Sequence, residues 1–278
     1  MEPGDLLSLI AMKNLSFDQI LNEVKQKNYA VLPFGMSKAD LDGAAADFME
    51  FLKIPQETKD KFYFKLDPKN HGSNIGYVRK SKAVGDGDNK EYFHYNLYAE
   101  DLLVKIPESD SIPAVKKFFD SARKIYALAE NALGETMKEF DNKYPGIYGK
   151  FFRKDTHPFF YLRFLKYDIA GKGNFLARAH YDRGQCTLAL AESAPGLRIG
   201  RNDATLKEVD RVDGTILFMP ALGFSDITST DFTPAWHDVV QSSNDLYNRD
   251  VARWAIVFFA DTRVDNYMTM DEAHTAKG

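Results

Sequence analysis

The pattern of hydrophobic and polar positions changes character about midway along the chain. In the first half, apolar residues recur at helical spacing over 16–28, 37–52 and 111–140. Ser16 and Ser37 stand where the N-caps of the first two helices are expected. A short strand, YAVLPF, lies between these two helices, and the third stretch is long and amphipathic. A long amphipathic helix of this kind is typical of a helix that packs against a sheet.

From Phe159 onward the pattern predicts short strands separated by turn residues. Seven β-rich runs of this kind favour a sandwich or a barrel. The stretch 67–90 is rich in Gly, Asn, Asp and Lys, lacks periodicity and is predicted to be loop. We therefore expect one compact unit with a helical N-terminal half wrapped on a C-terminal β-barrel. The runs are FFYLRFLKYD, ARAHYD, QCTLALAE, GLRIG, GTILFMP, AWHDVVQS and ARWAIVFFAD.

Composition indicates which cellular compartment and which classes of partner are expected. The 278 residues include 36 basic and 40 acidic side chains, a net charge of -4, without a long run of like charge. Nucleic acid and anionic membranes are therefore not expected as partners. Cys186 is the only cysteine, which excludes an internal disulfide and favours the reducing cytosol. The N-terminus lacks a basic leader and no 18-residue apolar run follows, so we expect a soluble, cytoplasmic protein.

Three residues form a candidate metal site. Residues i and i+2 of a strand share a face, so His180 and Asp182 in AHYDRG can bind one ion while Tyr181 points away. His237, in PAWHDVV, is the best placed third ligand. Two histidines and one carboxylate with open positions opposite suit non-haem iron(II) oxygen chemistry. A histidine two residues before an acidic residue is expected about once by chance in a chain of this composition. The alternative is therefore a structural histidine hydrogen-bonded to a carboxylate.

The other histidines considered carry weaker signals. His71, His94 and His157 are not two residues from a carboxylate on a plausible strand, so surface or packing roles are expected. His94 also follows the run KEYF and could line a substrate entrance, although the polarity of a loop explains it equally well.

The run AHYDRGQCTLALAESAPGLRI resembles the core of the iron(II)- and 2-oxoglutarate-dependent dioxygenases of the isopenicillin N synthase-like group. The matching positions are His180 and Asp182, Thr187-Leu188 and Gly196-Leu197, with GTILFMP before the second histidine. Fifty-five positions separate Asp182 from His237, close to the family's usual separation. Upstream, YAVLPFGMS, FLKIPQETKDKF, Gly76-Tyr77 and KEYF look like the group's N-terminal region. The matches cover most of residues 28–261.

The resemblance implies a fold, which is mainly β with helices. A double-stranded β-helix, or jelly-roll barrel, would be braced by N-terminal helices. Residues 1–110 would form the N-terminal helix and loop region, and residues 111–278 the bracing helix and the jelly-roll core.

The resemblance also implies a co-substrate site. The strand RWAIVFFAD is similar to the family's R-x-S strand, so Arg253 would anchor the distal carboxylate of 2-oxoglutarate. Tyr167 corresponds to a tyrosine that can hydrogen-bond the same molecule. Arg253 could instead pair with a protein carboxylate, Tyr167 could be a core tyrosine, and Arg249 is a competing anchor.

Three departures from the family pattern bear on the co-substrate. Ala255 replaces the serine of R-x-S, and the gap of 16 residues from His237 to Arg253 is longer than in most members. Asp238 follows the second histidine where the family commonly has arginine, and we expect it to point outward.

The implied activity is oxidation of an unactivated C–H bond in a small molecule, with iron(II), 2-oxoglutarate and dioxygen. The outcome would be hydroxylation, desaturation or cyclisation. Two alternatives are an iron(II) oxidase that does not use 2-oxoglutarate and a non-catalytic jelly-roll binding protein.

Overall fold

The computed structural model describes most of the chain as helices and antiparallel strands. The described residues are 15–65, 74–80, 89–153, 159–171, 173–229, 231–242, 246–248 and 250–262. Their helices are α1 (Phe17–Lys27), α2 (Lys38–Leu52), α3 (Gln56–Asp60), α4 (Leu97–Val104), α5 (Glu108–Ser111), α6 (Pro113–Asp141), α7 (Ile147–Phe151) and α8 (Ser225–Thr228). Their strands are β1 (Ala30–Pro33), β2 (Tyr63–Lys65), β3 (Asn74–Lys80), β4 (Lys90–Tyr95), β5 (Phe159–Asp168), β6 (Phe175–His180), β7 (Cys186–Glu192), β8 (Leu197–Gly200), β9 (Lys207–Glu208), β10 (Thr215–Pro220), β11 (Trp236–Val240) and β12 (Val251–Asp261).

The strands form two antiparallel sheets. The larger has the order β1-β10-β7-β12-β5-β4-β3-β2, and the smaller has the order β6-β11-β8-β9. Apolar residues of both sheets, such as Leu165 and Leu217 of the larger and Leu176 and Val239 of the smaller, form one buried cluster. The two sheets therefore face each other, which confirms the predicted jelly-roll core. Within the described residues, strand pairing stays inside each sheet rather than closing a barrel.

The larger sheet has two different faces because successive side chains of a strand point to opposite sides. Phe160, Leu162 and Phe164 of β5 are 0% exposed and belong to the cluster that includes the helices. The intervening Leu165 and Tyr167 belong to the cluster between the sheets. One face of the sheet is thus the floor of the helical layer, and the other faces the smaller sheet.

The predicted helices are confirmed. The Ser16 hydroxyl accepts from the backbone N–H of Gln19, and the Gln19 side-chain carbonyl accepts from the backbone N–H of Ser16. The two bonds form a capping box at the start of α1. The Ser37 hydroxyl caps α2 by accepting from the backbone N–H of Asp40. The long helix α6 buries one stripe, including Phe118 and Ile125, against the sheet. None of the helices in the described part of the chain combines the length and apolarity needed to cross a bilayer.

The prediction of loop over 67–90 is wrong where the structure describes that stretch. Residues 74–80 form β3, which pairs with β4 so that Gly76 lies opposite His94. Ile75 and Tyr77 of β3 are buried on the helix side. The glycine, lysine and arginine residues of the strand make this alternation of apolar positions hard to recognise in the sequence. The remaining positions of that prediction lie outside the described residues.

Candidate metal centre and active site

The structure brings His180, Asp182 and His237 together at one end of the two sheets. Their ligand atoms all lie within 4.8 Å of one another. His180 ends β6 and His237 lies directly opposite it in β11, with ring centroids 4.4 Å apart. Asp182 lies two residues beyond β6 rather than within it, so the strand is shorter than predicted. The Asp182 carboxylate still faces both histidines. The intervening Tyr181 packs on Trp236, with 4.7 Å between ring centroids.

Local backbone contacts fix which nitrogen of each histidine faces the carboxylate. The His180 Nδ1–H donates to the Arg178 carbonyl at 2.7 Å, and the His237 Nδ1–H donates to the Ala235 carbonyl at 3.0 Å. Both Nε2 atoms face Asp182, at 3.7 and 3.8 Å from its two oxygens. Because a carbonyl can only accept, each ring carries a proton on Nδ1, and the neutral form of the ring presents its lone pair on Nε2.

The carboxylate of Asp182 is held by one further partner. The Thr187 hydroxyl, 3% exposed at the start of β7, donates to Asp182 Oδ2 at 2.6 Å. The side chain of His180 is 48% exposed, whereas those of Asp182 and His237 are 14% and 10% exposed. Strand β7 therefore contributes a hydrogen bond to the site, and the site is exposed on the side of His180.

The electrostatics of the three residues suit a divalent cation. Burial, and then the neighbouring His237, lower the pKa of His180 despite the opposing charge of Asp182. A lowered pKa keeps the imidazole neutral and its Nε2 lone pair available. Two imidazole nitrogens and one carboxylate are donor atoms of the kinds that iron(II) takes. The donor set therefore fits the predicted metal.

Arg253 lies inside the protein in contact with a protein carboxylate. It is 3% exposed, its Nε donates to the Ala194 carbonyl at 2.8 Å, and its Nη2 lies 3.7 Å from Glu192 Oε2. Arg211 approaches the same carboxylate more closely, with its Nε 3.1 Å from Glu192 Oε1. Two guanidinium groups thus share one carboxylate. Burial lowers the pKa of Arg211, and the adjacent Arg253 lowers it further.

Tyr167 and Arg253 are direct neighbours on adjacent strands. The register of β5 and β12 pairs the two residues. Tyr167 is 4% exposed and belongs to the cluster between the sheets. Ala255, which stands where the family has serine, lies opposite Glu192. The two residues predicted to bind the co-substrate therefore lie side by side, with Glu192 beside them.

Sequence reasoning missed a polar cluster on β4 and β5. The Arg163 Nε donates to His94 Nε2 at 2.7 Å, and His94 is 1% exposed within β4 rather than in a loop. Tyr161 stacks on Phe259 at 5.0 Å. The alternation of FFYLRFLKYD does place Tyr161 and Arg163 on one face, but their partner on β4 requires the strand register.

Other predicted positions have different outcomes. Asp238 points away from the metal site but is buried, 1% exposed, in a two-point ion pair with Arg198 at 2.8 and 2.6 Å. The expectation that it points outward missed this partner, which lies on β8. His71, His157 and Arg249 lie outside the described residues.

Comparison with known proteins supports the fold. No protein-family model matches the sequence, and no curated protein sequence matches it. Solved structures do match. A full-length Neurospora crassa protein in complex with alpha-KG aligns with a TM-score of 0.66 and 16% identity over 98% of this chain and 88% of its own.

Two further structures give the same result. A Caulobacter crescentus protein assigned to the 2OG-Fe(II) oxygenase family aligns with a TM-score of 0.64 and 18% identity over 94% of this chain and 92% of its own. The Arabidopsis thaliana dioxygenase for auxin oxidation, in complex with 2-oxoglutarate, aligns with a TM-score of 0.67 and 15% identity over 90% and 89%. The chain thus has the fold of the iron(II)- and 2-oxoglutarate-dependent oxygenases over nearly its whole length, as the sequence resemblance implied.

Proposed function

We propose that this protein is an iron(II)- and 2-oxoglutarate-dependent oxygenase that oxidises an unactivated C–H bond of a small molecule. The observation that carries the proposal is the convergence of His180 Nε2, His237 Nε2 and the Asp182 carboxylate on one point. The fold shared with structures that hold 2-oxoglutarate supports it.

The three residues would hold the metal on one side and leave its remaining positions open. When bound, iron(II) supplies activation of dioxygen coupled to oxidation of the co-substrate. Thr187 orients the Asp182 carboxylate, and the carbonyls of Arg178 and Ala235 orient the two imidazoles. These contacts keep the donor atoms aimed at one point in the absence of the ion.

The two arginines around Glu192 support the co-substrate assignment by charge. Arg253 and Arg211 contribute two positive charges and Glu192 contributes one negative charge, which leaves one positive charge in excess. A buried surplus charge is costly unless an anion compensates it. The distal carboxylate of 2-oxoglutarate would supply that anion, and the neighbouring Tyr167 would supply a hydroxyl.

One observation favours a second candidate, the iron(II) oxidase that does not use 2-oxoglutarate. Glu192 already gives Arg253 an anionic partner within the protein, at 3.7 Å. If that pair were sufficient, the arginine would need no co-substrate. The closer approach of Arg211 to Glu192, at 3.1 Å, argues that the carboxylate serves mainly Arg211.

The deciding experiment is a titration without oxygen. Iron(II) is added to metal-free protein, and 2-oxoglutarate follows while the visible metal-to-ligand charge-transfer band is recorded. We expect the band in wild type, no iron binding in Asp182→Ala, and a weaker band at equal 2-oxoglutarate in Arg253→Ala. Asp226→Ala, at an exposed position, is the matched control.

Each alternative result selects a different function. Iron binding without the band would favour the oxidase. Absence of iron binding in the wild type would remove both enzymatic proposals and leave a binding protein with a jelly-roll fold.

A further inference from the structure

Arg163 lies on the inner face of β5 and is oriented by a buried histidine. Its Nε donates to His94 Nε2 at 2.7 Å, while His94 Nδ1–H donates to the Asn74 carbonyl at 2.7 Å. Burial and the adjacent guanidinium hold the pKa of His94 well below its usual value. The neutral ring therefore acts as a fixed acceptor that sets the direction of the arginine.

The far edge of the Arg163 guanidinium is left for a ligand. Among the described residues, no carboxylate lies within ion-pair distance of it, and its Nη1 and Nη2 make no hydrogen bond. The Arg163 residue is only partly buried. Arg198, Arg211 and Arg253, by contrast, each have a protein carboxylate.

Aromatic rings flank this guanidinium. Its Cζ lies 4.6 Å from the centroid of Phe259 and 5.0 Å from that of Tyr92. Rings at these distances hold a guanidinium by cation–π attraction and leave its edge free. The partly accessible Tyr161 and Phe259 stack beside it at 5.0 Å. The edge of Arg163 is thus a charged point within an apolar wall.

The wall leads to the metal residues. Phe259 pairs in register with Tyr161 of β5 on one side and with Thr187 of β7 on the other. Thr187 donates to Asp182. Because neighbouring strands lie about 4.8 Å apart, β5 and β7 are separated by about 10 Å. The charge of Asp182 also contributes, after burial, to raising the pKa of Tyr161 to about 12, although Arg163 opposes this shift.

We propose that Arg163 binds the carboxylate of the molecule that is oxidised, and that the substrate is a carboxylic acid with an apolar, ring-bearing body. With Nε bound to His94, the parallel Nη1–H and Nη2–H groups match the two oxygens of a carboxylate. Tyr161 and Phe259 would contact the body of the molecule, which extends toward the metal. The inference rests on the proposed function, since the metal centre defines where oxidation occurs.

Calorimetric titration of the protein tests this inference. The probes are phenylacetate, 3-phenylpropanoate and 4-phenylbutanoate, each compared with its neutral amide. The protein is loaded with iron(II) and 2-oxoglutarate without oxygen, and the titration is repeated on metal-free protein. We expect at least one acid to bind about tenfold or more tightly than its amide, since a two-point charged contact distinguishes them.

Three variants locate the effect. Arg163→Gln should abolish the preference for the acid and change the affinity for 2-oxoglutarate less than about twofold. His94→Gln should reduce the preference while the melting temperature reports whether the fold is kept. Arg123→Gln, which removes the same charge from the exposed surface of α6, should leave the preference unchanged.

The possible failures are distinguishable. If no acid binds more tightly than its amide, or if the preference survives in Arg163→Gln, the inference is wrong. A selective loss of 2-oxoglutarate affinity in Arg163→Gln would assign this arginine to the co-substrate and also overturn it. Failure of the proposed function appears separately, as wild-type protein that does not bind iron.

Discussion

The two faces of β5 and β12 differ sharply although they belong to the same strands. On the helix side, Phe164, Ile256 and Phe258 are 0% exposed and belong to the hydrophobic cluster that includes the helices. On the opposite side, Arg163 and Arg253 face the smaller sheet. Alternate residues of one strand thus lie in different surroundings, a hydrophobic core on one face and the space between the sheets on the other. Substitutions on the helix side should change stability, and those on the inner side should change binding.

Phe164→Ala on the helix side should give the largest effect. Phe164 contacts Phe48 and Phe118 at ring-centroid distances of 5.7 and 5.0 Å, so truncation leaves a cavity beneath α2 and α6. We expect a loss of about 3–5 kcal/mol in the free energy of unfolding, measured in urea. The iron affinity of the folded fraction should be unchanged. A variant with normal stability, or one that is stable but binds iron weakly, would contradict the division between faces.

Glu192→Gln should lower stability by about 3 kcal/mol, because it leaves two buried guanidinium groups without their anion. Saturating 2-oxoglutarate should then raise the melting temperature of the variant more than that of wild type, as its carboxylate replaces the lost charge. Glu208→Gln, exposed on β9, is the control. Equal stabilisation of variant and wild type would make the arginine pair structural.

Thr187→Val removes the hydroxyl that orients Asp182 and keeps the shape of the side chain. We expect iron(II) affinity to fall about 10- to 100-fold, measured by anaerobic titration. Stability should change little by comparison, and Thr233→Val at an exposed position should bind iron normally. An unaltered affinity would mean that Asp182 needs no support from β7.

The smallest effect is a pH dependence that originates at His94. The unfolded chain takes up a proton at this residue as pH falls below about 6.5, whereas the folded protein resists it because the pKa is lowered. Stability therefore decreases toward acid pH, by up to about 1.4 kcal/mol per pH unit from this residue. Urea unfolding of wild type and His94→Gln between about pH 7 and 5 should show a shallower slope in the variant. Parallel slopes would exclude the contribution.

The parts of the site that depend on local spacing could be predicted from the sequence. The alternation of β12 follows from strand geometry and places Arg253 in the interior. The spacing of two residues brings Asp182 close to His180 even though Asp182 lies beyond the end of β6. The family pattern pointed to His237, which lies far along the chain.

Contacts set by strand register were not readable. The bond between Arg163 and His94 joins positions 69 residues apart, and the sharing of Glu192 by two arginines joins three separate segments. Strand β3 was missed for a related reason. Its position in the sheet depends on pairing with β4, while its own residues include glycine and lysine, which are depleted in strands.

The hydrogen bonds that orient the imidazoles of the candidate metal site are made to carbonyls only two residues earlier in the chain. The orientation of each ring is therefore set by its own segment of the chain and not by the residues that would surround a substrate. Positions such as 161 and 163 can change over evolutionary time, or by design, while the metal centre stays assembled. Under the proposed function, new substrate preferences would be accessible on this scaffold through few substitutions.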